Sequence, residues 1–176
     1  MMRLDIGLDY DEYLSMAKEE EKEFIYKLFD QGVLKDEGLD RIKDIKEELN
    51  VIIFAEPGCK DAATTIPFLI KMTQINPKIK LKYLRREGNE DLLEKLTGEK
   101  KVPTFIIVDN MGKVVRKYIE FPKKLKEKLL NSPVEETQFI VDEMREGKYN
   151  DYIQEDLINF LSGQSYNFIS FTRKDK

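Results

Sequence analysis

The run Val51-Ile52-Ile53-Phe54-Ala55 contains no polar residue, and it constrains the chain more than any other stretch. A strand with one wet face alternates apolar and polar side chains. An unbroken apolar run of this length suits a strand covered on both faces, as in a sheet lying between helices. The residues that follow have the periods such a sheet needs. From Ala62 to Ile75 the apolar spacing is helical, with Ile66, Leu69, Ile70 and Thr73 facing inward. Residues 78–84 alternate as a half-buried strand, and 89–97 read as a short helix stopped by Gly98. Strands follow at 104–109 and 113–119, joined by the turn Asp109-Asn110-Met111-Gly112, and a helix at 122–131 closes the pattern. The order β-α-β-α-β-β-α predicts an α/β sandwich around a four-stranded mixed sheet, parallel through a helical crossover in its first half and ending in an antiparallel hairpin.

The flanks read as helical. Residues 9–31 are expected to form one helix, with Tyr13, Ala17, Phe24, Ile25 and Leu28 near the helical period and Asp30-Gln31-Gly32 as its stop. A second helix is expected over 37–49, with Ile42, Ile45 and Leu49 on one face. Two more are expected at 134–147 and 151–162, each ending at a glycine. The tail from residue 164 alternates weakly through Tyr166, Phe168 and Ser170 and reads as an edge strand, a packed arm or a loose end. The chain therefore divides into a helical extension (1–49) packing on the core, the α/β core (50–130), and a C-terminal helical extension with its tail (131–176). Phe24, Phe54, Phe105 and Phe121 are expected in the core.

Composition removes whole classes of chemistry. With no histidine among 176 residues, a Ser-His-Asp triad, a Cys-His pair and an imidazole-ligated zinc site are all excluded. No Gly-rich phosphate loop or EF-hand loop is present, and neither a metal nor a cofactor is expected. The net charge of −4 has both signs interspersed, so no basic footprint for nucleic acid exists. The run 123–128, Lys-Lys-Leu-Lys-Glu-Lys, reads as a solvated helix face. No apolar run approaches the roughly 18 residues needed to span a bilayer, and no membrane contact is expected. Acidic residues interrupt any leader-like segment at the N-terminus, and one cysteine forms no intrachain disulfide, so the expected setting is cytoplasmic.

That single cysteine, Cys59, lies where the apolar strand stops and the helical pattern begins, after Pro57-Gly58. Three features carry a resemblance. Cys59 opens a helix after the first core strand, Pro67 follows it by eight residues, and Val102-Pro103-Thr104 leads into the third strand 44 residues after Cys59, counted to the proline. In this order the chain resembles the thioredoxin-like superfamily across about residues 50–130. "AEPGCKDAATTIP" is similar to the branch with a D-W-C-G-D-A type motif, which also carries a helical N-terminal extension. The resemblance implies an attacking thiol at Cys59 and a cis-proline loop at Val102-Pro103, with the Val102 backbone pairing to an extended substrate strand. It also implies substrate-facing positions at Gly58 and Lys60, and a helix-cap or proton-transfer role for Asp61.

The departures define what the thiol can do. Ala62 stands where the resolving cysteine would be, Gly58 where a tryptophan usually precedes the first cysteine, and Ile53 where thioredoxins carry a buried acid. The resemblance then implies a monothiol protein that exchanges with protein disulfides or low-molecular-weight thiols and relies on an external resolving thiol. A glutaredoxin-like version lacks the Gly-Gly segment after the proline loop. The alternative is a fold that has lost its redox role and serves as a binding or scaffold domain. From the helix N-terminus, its orphan amides and Lys60, set against Asp61 and Glu56, the thiol is expected to fall modestly, to a pKa of about 7–8. Glu56 itself is expected to be solvated.

Overall fold

The computed structural model describes residues 6–173. The sheet is built from β1 (Leu49–Ala55), β2 (Ile79–Arg85), β3 (Thr104–Val108) and β4 (Val114–Ile119), in the order β2-β1-β3-β4. β1 runs parallel to β2, with Ile53 beside Tyr83 and Ala55 beside Arg85, and antiparallel to β3, with Ile53 beside Phe105. β3 and β4 form the hairpin, turned by the Asp109 carboxylate, which accepts from the backbone N–H groups of Met111 and Lys113 at 2.9 Å each. Gly112, at φ 75°, supplies the left-handed residue this turn requires.

β1 is apolar throughout because it is central and covered twice. Ile52 and Phe54 face a smaller layer with Leu84, Leu93, Ile106 and Val108, covered by α5 (Glu90–Thr97). Val51, Ile53 and Ala55 face the main core. There α4 (Lys60–Ile75) crosses from β1 to β2, and its residues from Asp61 to Leu69 are all buried. A helix buried all round needs partners on every side. On one side packs α2 (Glu19–Gln31), which joins α1 (Tyr10–Ser15) to the small α3 (Leu39–Lys43). On another pack α7 (Thr137–Arg145) and α8 (Asn150–Ser162). Between the hairpin and these C-terminal helices lie α6 (Lys123–Leu130) and a 3₁₀ turn, Val134–Glu136.

Two helical expectations are corrected. Residues 9–31 form two helices, not one: the chain breaks at Met16-Ala17-Lys18, where Ala17 is buried and the Glu21 carboxylate accepts the Lys18 N–H at 2.8 Å, starting α2 afresh. The expected helix over 37–49 shrinks to α3. The Asn76 side chain takes the Ile42 and Ile45 carbonyls at 2.9 and 3.0 Å, closing that helix, and Leu49 already belongs to β1. Phe54, Phe105 and Phe121 are fully buried, while Phe24 is only partly so.

The described part of the tail forms no strand. It is an arm held to the core. The Lys126 ammonium donates to the Ile169 carbonyl at 2.9 Å, Lys101 donates to the Phe171 carbonyl, and Phe171 meets Phe121 edge-on at 6.0 Å. Lys126 is therefore not on a solvated face, as the run 123–128 suggests, but 4% exposed beneath the arm. No helix among the described residues is long and apolar enough to cross a membrane.

Candidate active site

β1 and β2 are parallel, so both deliver their chains to the same end of the sheet. From that end residues 56–59 turn tightly, with the Cys59 N–H donating to the Glu56 carbonyl at 2.9 Å. Cys59 is the N-cap of α4, in extended conformation, and its carbonyl accepts the Ala63 N–H at 3.0 Å. The half-buried thiol donates across the cleft to the Val102 carbonyl at 3.8 Å. The Val102-Pro103 peptide is cis. The loop is pinned on both sides: Thr104 Oγ1 donates to the Lys101 carbonyl at 2.7 Å, and the Pro103 carbonyl accepts the Glu120 N–H at 2.8 Å.

The residues singled out from the sequence do not all meet. Cys59, Val102 and Pro103 converge. Gly58 and Lys60 are exposed on the rim. Asp61 is buried and paired, with Arg145 Nε donating to its Oδ1 at 2.8 Å and Nη2 to its Oδ2 at 3.2 Å. A carboxylate held this way is an anchor for the first turn of α4. Glu56 is also engaged, contrary to expectation. Arg85 donates twice to its Oε2, at 3.0 and 2.9 Å, and the Glu87 N–H donates to its Oε1 at 2.7 Å.

The electrostatic expectation for the thiol is reversed. Burial pushes the Cys59 thiol up from its ordinary value, and the charge of Asp61 adds to this. The amides of Ala62 and Asp61 and the Arg145 guanidinium pull it back without cancelling the cost of burial. The helix N-terminus favours the thiolate, but taking the sulfur out of water costs more than the helix returns.

Three residues of the site's surroundings carry no local signal. Arg145 lies 84 residues from its partner. Glu21, on α2, stands over Gly58, where an added Cβ would come 2.7 Å from its Oε1. Tyr13, read only as an apolar-face residue, is 3% exposed, and the charges of Cys59, Glu56 and Glu21 act on its hydroxyl. The N-terminal extension thus fills the space beside the thiol, where a bulky residue 58 would otherwise lie.

Two solved structures share the fold: a crystal structure of a protein of unknown function from Pseudomonas aeruginosa and an HIV epitope-scaffold. Each has a TM-score of 0.75 and 16% identity over 92% of this chain and 96% of its own. At that identity the likeness speaks for the fold alone. Among curated proteins none matches the chain. A family model described as thioredoxin matches residues 7–139, from before α1 to within α7, and the chain belongs to that thioredoxin family.

Proposed function

We propose that the protein is a monothiol thioredoxin-like protein that carries out thiol-disulfide exchange through Cys59. The observation that carries this reading is the Cys59 thiol facing the Val102 carbonyl at 3.8 Å across the cis Val102-Pro103 peptide. At rest the sulfur is a protonated donor to that carbonyl. An extended substrate strand that pairs with the Val102 backbone takes the carbonyl as its own acceptor. The sulfur then loses its acceptor, while the amides of Asp61 and Ala62 remain to stabilise the thiolate. Substrate docking and thiol activation are thereby coupled.

The Cys59 thiolate attacks one sulfur of a disulfide. A mixed disulfide forms, and the second substrate sulfur leaves as a thiolate. Ala62 offers no second thiol, so an external low-molecular-weight or protein thiolate attacks the substrate sulfur of the mixed disulfide and regenerates the Cys59 thiolate. This scheme suits a cytoplasmic setting, where such thiols are kept reduced. Similarity to the D-W-C-G-D-A type branch supports the same reading.

A second reading has its own support. The raised thiol and the locked Asp61 fit a domain whose redox role is lost and whose helical ends serve binding. Incubation with a small aliphatic disulfide, followed by intact mass measurement, separates the two. The exchange reading expects an adduct on the native protein that reductant removes and Cys59→Ser abolishes. An adduct that forms only in denaturant sinks it and leaves the binding domain.

A further inference from the structure

β2 is an edge strand of the sheet, and only one end of its outer edge is paired. Leu8 exchanges both backbone hydrogen bonds with Tyr83 there, at 2.7 and 2.8 Å. At Tyr10 the chain enters α1 and leaves the edge. Backbone groups alternate in direction along a strand, so those of Leu81 and Ile79 point the same way as those of Tyr83, away from β1. The register agrees: the Lys78 carbonyl, of the other parity, accepts the Leu49 N–H of β1 at 3.0 Å. The Ile79 N–H is taken by the Asn76 carbonyl at 3.1 Å. The Leu81 N–H, the Leu81 carbonyl and the Ile79 carbonyl face outward, with no backbone partner among the described residues.

A hollow of about 520 Å³ lies along this stretch. Towards α4 it is apolar, lined by Tyr10, Ile70 and Leu81, each only partly buried against the main core. Lys80 and Lys82 alternate with the core-facing residues of β2 and stand on the other face, the one that carries Leu84. They are the only charged residues among the lining, so the edge is locally basic in a chain of net charge −4.

We propose that this edge binds an extended peptide segment in which acidic and apolar residues alternate, added as a short strand beside β2. The partner backbone takes up the three outward groups. The side-chain period of two sends its apolar residues towards Ile70 and Tyr10 and its acids towards Lys80 and Lys82. A second copy of this chain fits less well. Two β2 edges paired antiparallel about Leu81 set Lys80 opposite Lys82 twice, and like charges directly opposite repel. The lysines that guard the edge against its own kind thus select an acidic partner. The site lies at the other end of β2 from Arg85, which neighbours Ala55 just before the Cys59 turn, so the inference does not depend on exchange at Cys59.

The test uses the full chain labelled with nitrogen-15 and two capped six-residue peptides, one alternating valine with aspartate and one alternating valine with lysine. In the protein alone the Leu81 amide proton is expected to exchange with solvent faster than that of Lys82, which faces β1. At millimolar concentration the aspartate peptide should shift the Leu81 resonance saturably and slow its exchange, and the lysine peptide should do neither. Lys80→Glu with Lys82→Glu should weaken the aspartate peptide about tenfold, because two cross-strand pairs turn from attraction to repulsion. The comparison of the two peptides on the wild type decides the matter even where the double variant does not fold. Equal binding of both peptides, binding that leaves the Leu81 amide unprotected, or no binding of the aspartate peptide overturns the inference. Protection of Leu81 that grows with protein concentration alone overturns it too, and assigns the edge to a second copy.

Discussion

Arg145 holds Asp61 through two charge-assisted hydrogen bonds, so the C-terminal extension grips α4 two residues beyond the thiol. The side chains are 22% and 9% exposed, and Arg145 also reaches Asp142 at 3.1 Å. Breaking such a pair leaves Asp61 buried without its counter-charge. Arg145→Met is expected to cost about 2–4 kcal/mol in urea denaturation. It also removes a group that pulls the Cys59 thiol down, so the titration of Cys59 should move to higher pH. The double variant Asp61→Asn, Arg145→Met should regain part of the stability. A single variant as stable as wild type would show that the pair does not anchor the helix.

The thiol itself should titrate above the ordinary cysteine range of about 8.5, because burial outweighs the amides. Alkylation measured from pH 6 to 10.5 should rise late, and denaturant should accelerate it at pH 7. A native apparent pKa below 8 would mean that the sulfur is better solvated, or better served by the α4 amides, than its packing indicates.

Gly58 departs from the family for a reason visible in α2. An added Cβ would meet Glu21 Oε1 at 2.7 Å, and Gly58 needs no left-handed φ. The obstacle is therefore a flexible carboxylate, not the backbone. Gly58→Ala should be nearly neutral. Gly58→Trp should cost about 1–3 kcal/mol through overpacking. Glu21→Ala loses the cap on the Lys18 N–H, worth about 1 kcal/mol, yet should make the tryptophan tolerable. Equal costs for Gly58→Trp with and without Glu21 would contradict this account.

How far the sequence could foretell this arrangement depends on where each cause lies. β1, α4, β2 and the hairpin are legible because their periods and turn residues are local. The Gly98 stop of α5 is of the same kind, a glycine at φ 85°. The break in 9–31 has no glycine or proline to mark it; it follows from burying Ala17 and capping Lys18 with Glu21. Leu49 fits a helical face equally well, and its pairing with β2 decides the matter. At the site, Cys59, Val102 and Pro103 were legible from their order and spacing. Arg145, Glu21 and Tyr13 were not, because all three lie outside the α/β core, the first in the C-terminal extension and the others in the N-terminal one, and no motif records the contact. The thiol shift has the opposite sign to that expected from the first turn alone, because the burial of Cys59 comes from packing that no local spacing records.

Lys126 and Asp156 give the stability curve a marked shape. Lys126 is 4% exposed, and burial lowers it to about 8 despite Asp156, Glu99 and Glu120, with Lys101 adding to the fall. Asp156 is 8% exposed, and burial with Glu155 raises it to about 6 against the Lys123 amide and the charges of Lys126 and Lys123. Between pH 3.8 and about 6 the folded state keeps the Asp156 proton that the unfolded state has released, so raising the pH there lowers stability. Between about 8 and 10.5 the folded state has released the Lys126 proton that the unfolded state keeps, so raising the pH there adds stability. The contribution of these two groups is least favourable from about pH 6 to 8. Asp156→Asn should remove the acid limb, and Asp156→Asn with Lys126→Met should remove both, as seen in urea midpoints from pH 4 to 10. Unchanged slopes would mean that the two groups are better solvated than their packing implies.

The arm over Lys126 is the cause of its burial, which makes the basic limb removable from a distance. Phe171 is 7% exposed against Phe121, and its carbonyl takes the Lys101 ammonium. Phe168 lies under Lys117 and Lys126, at 4.7 and 4.5 Å from its ring centre. Phe171→Ala should cost about 3 kcal/mol, at the low end for a core aromatic because the residue is peripheral. Ending the chain at Gly163 removes the Ile169 carbonyl as well and exposes the Lys126 ammonium. In that shortened protein Lys126 should titrate as an ordinary lysine, and the gain in stability between pH 8 and 10.5 should vanish while the Asp156 limb persists. Amine acylation at pH 8 followed by peptide mapping reads the same event: Lys126 should be modified slowly in the full chain and as fast as exposed Lys124 once the arm is gone. Equal rates at Lys126 in the two proteins would mean that the arm does not cover it in solution.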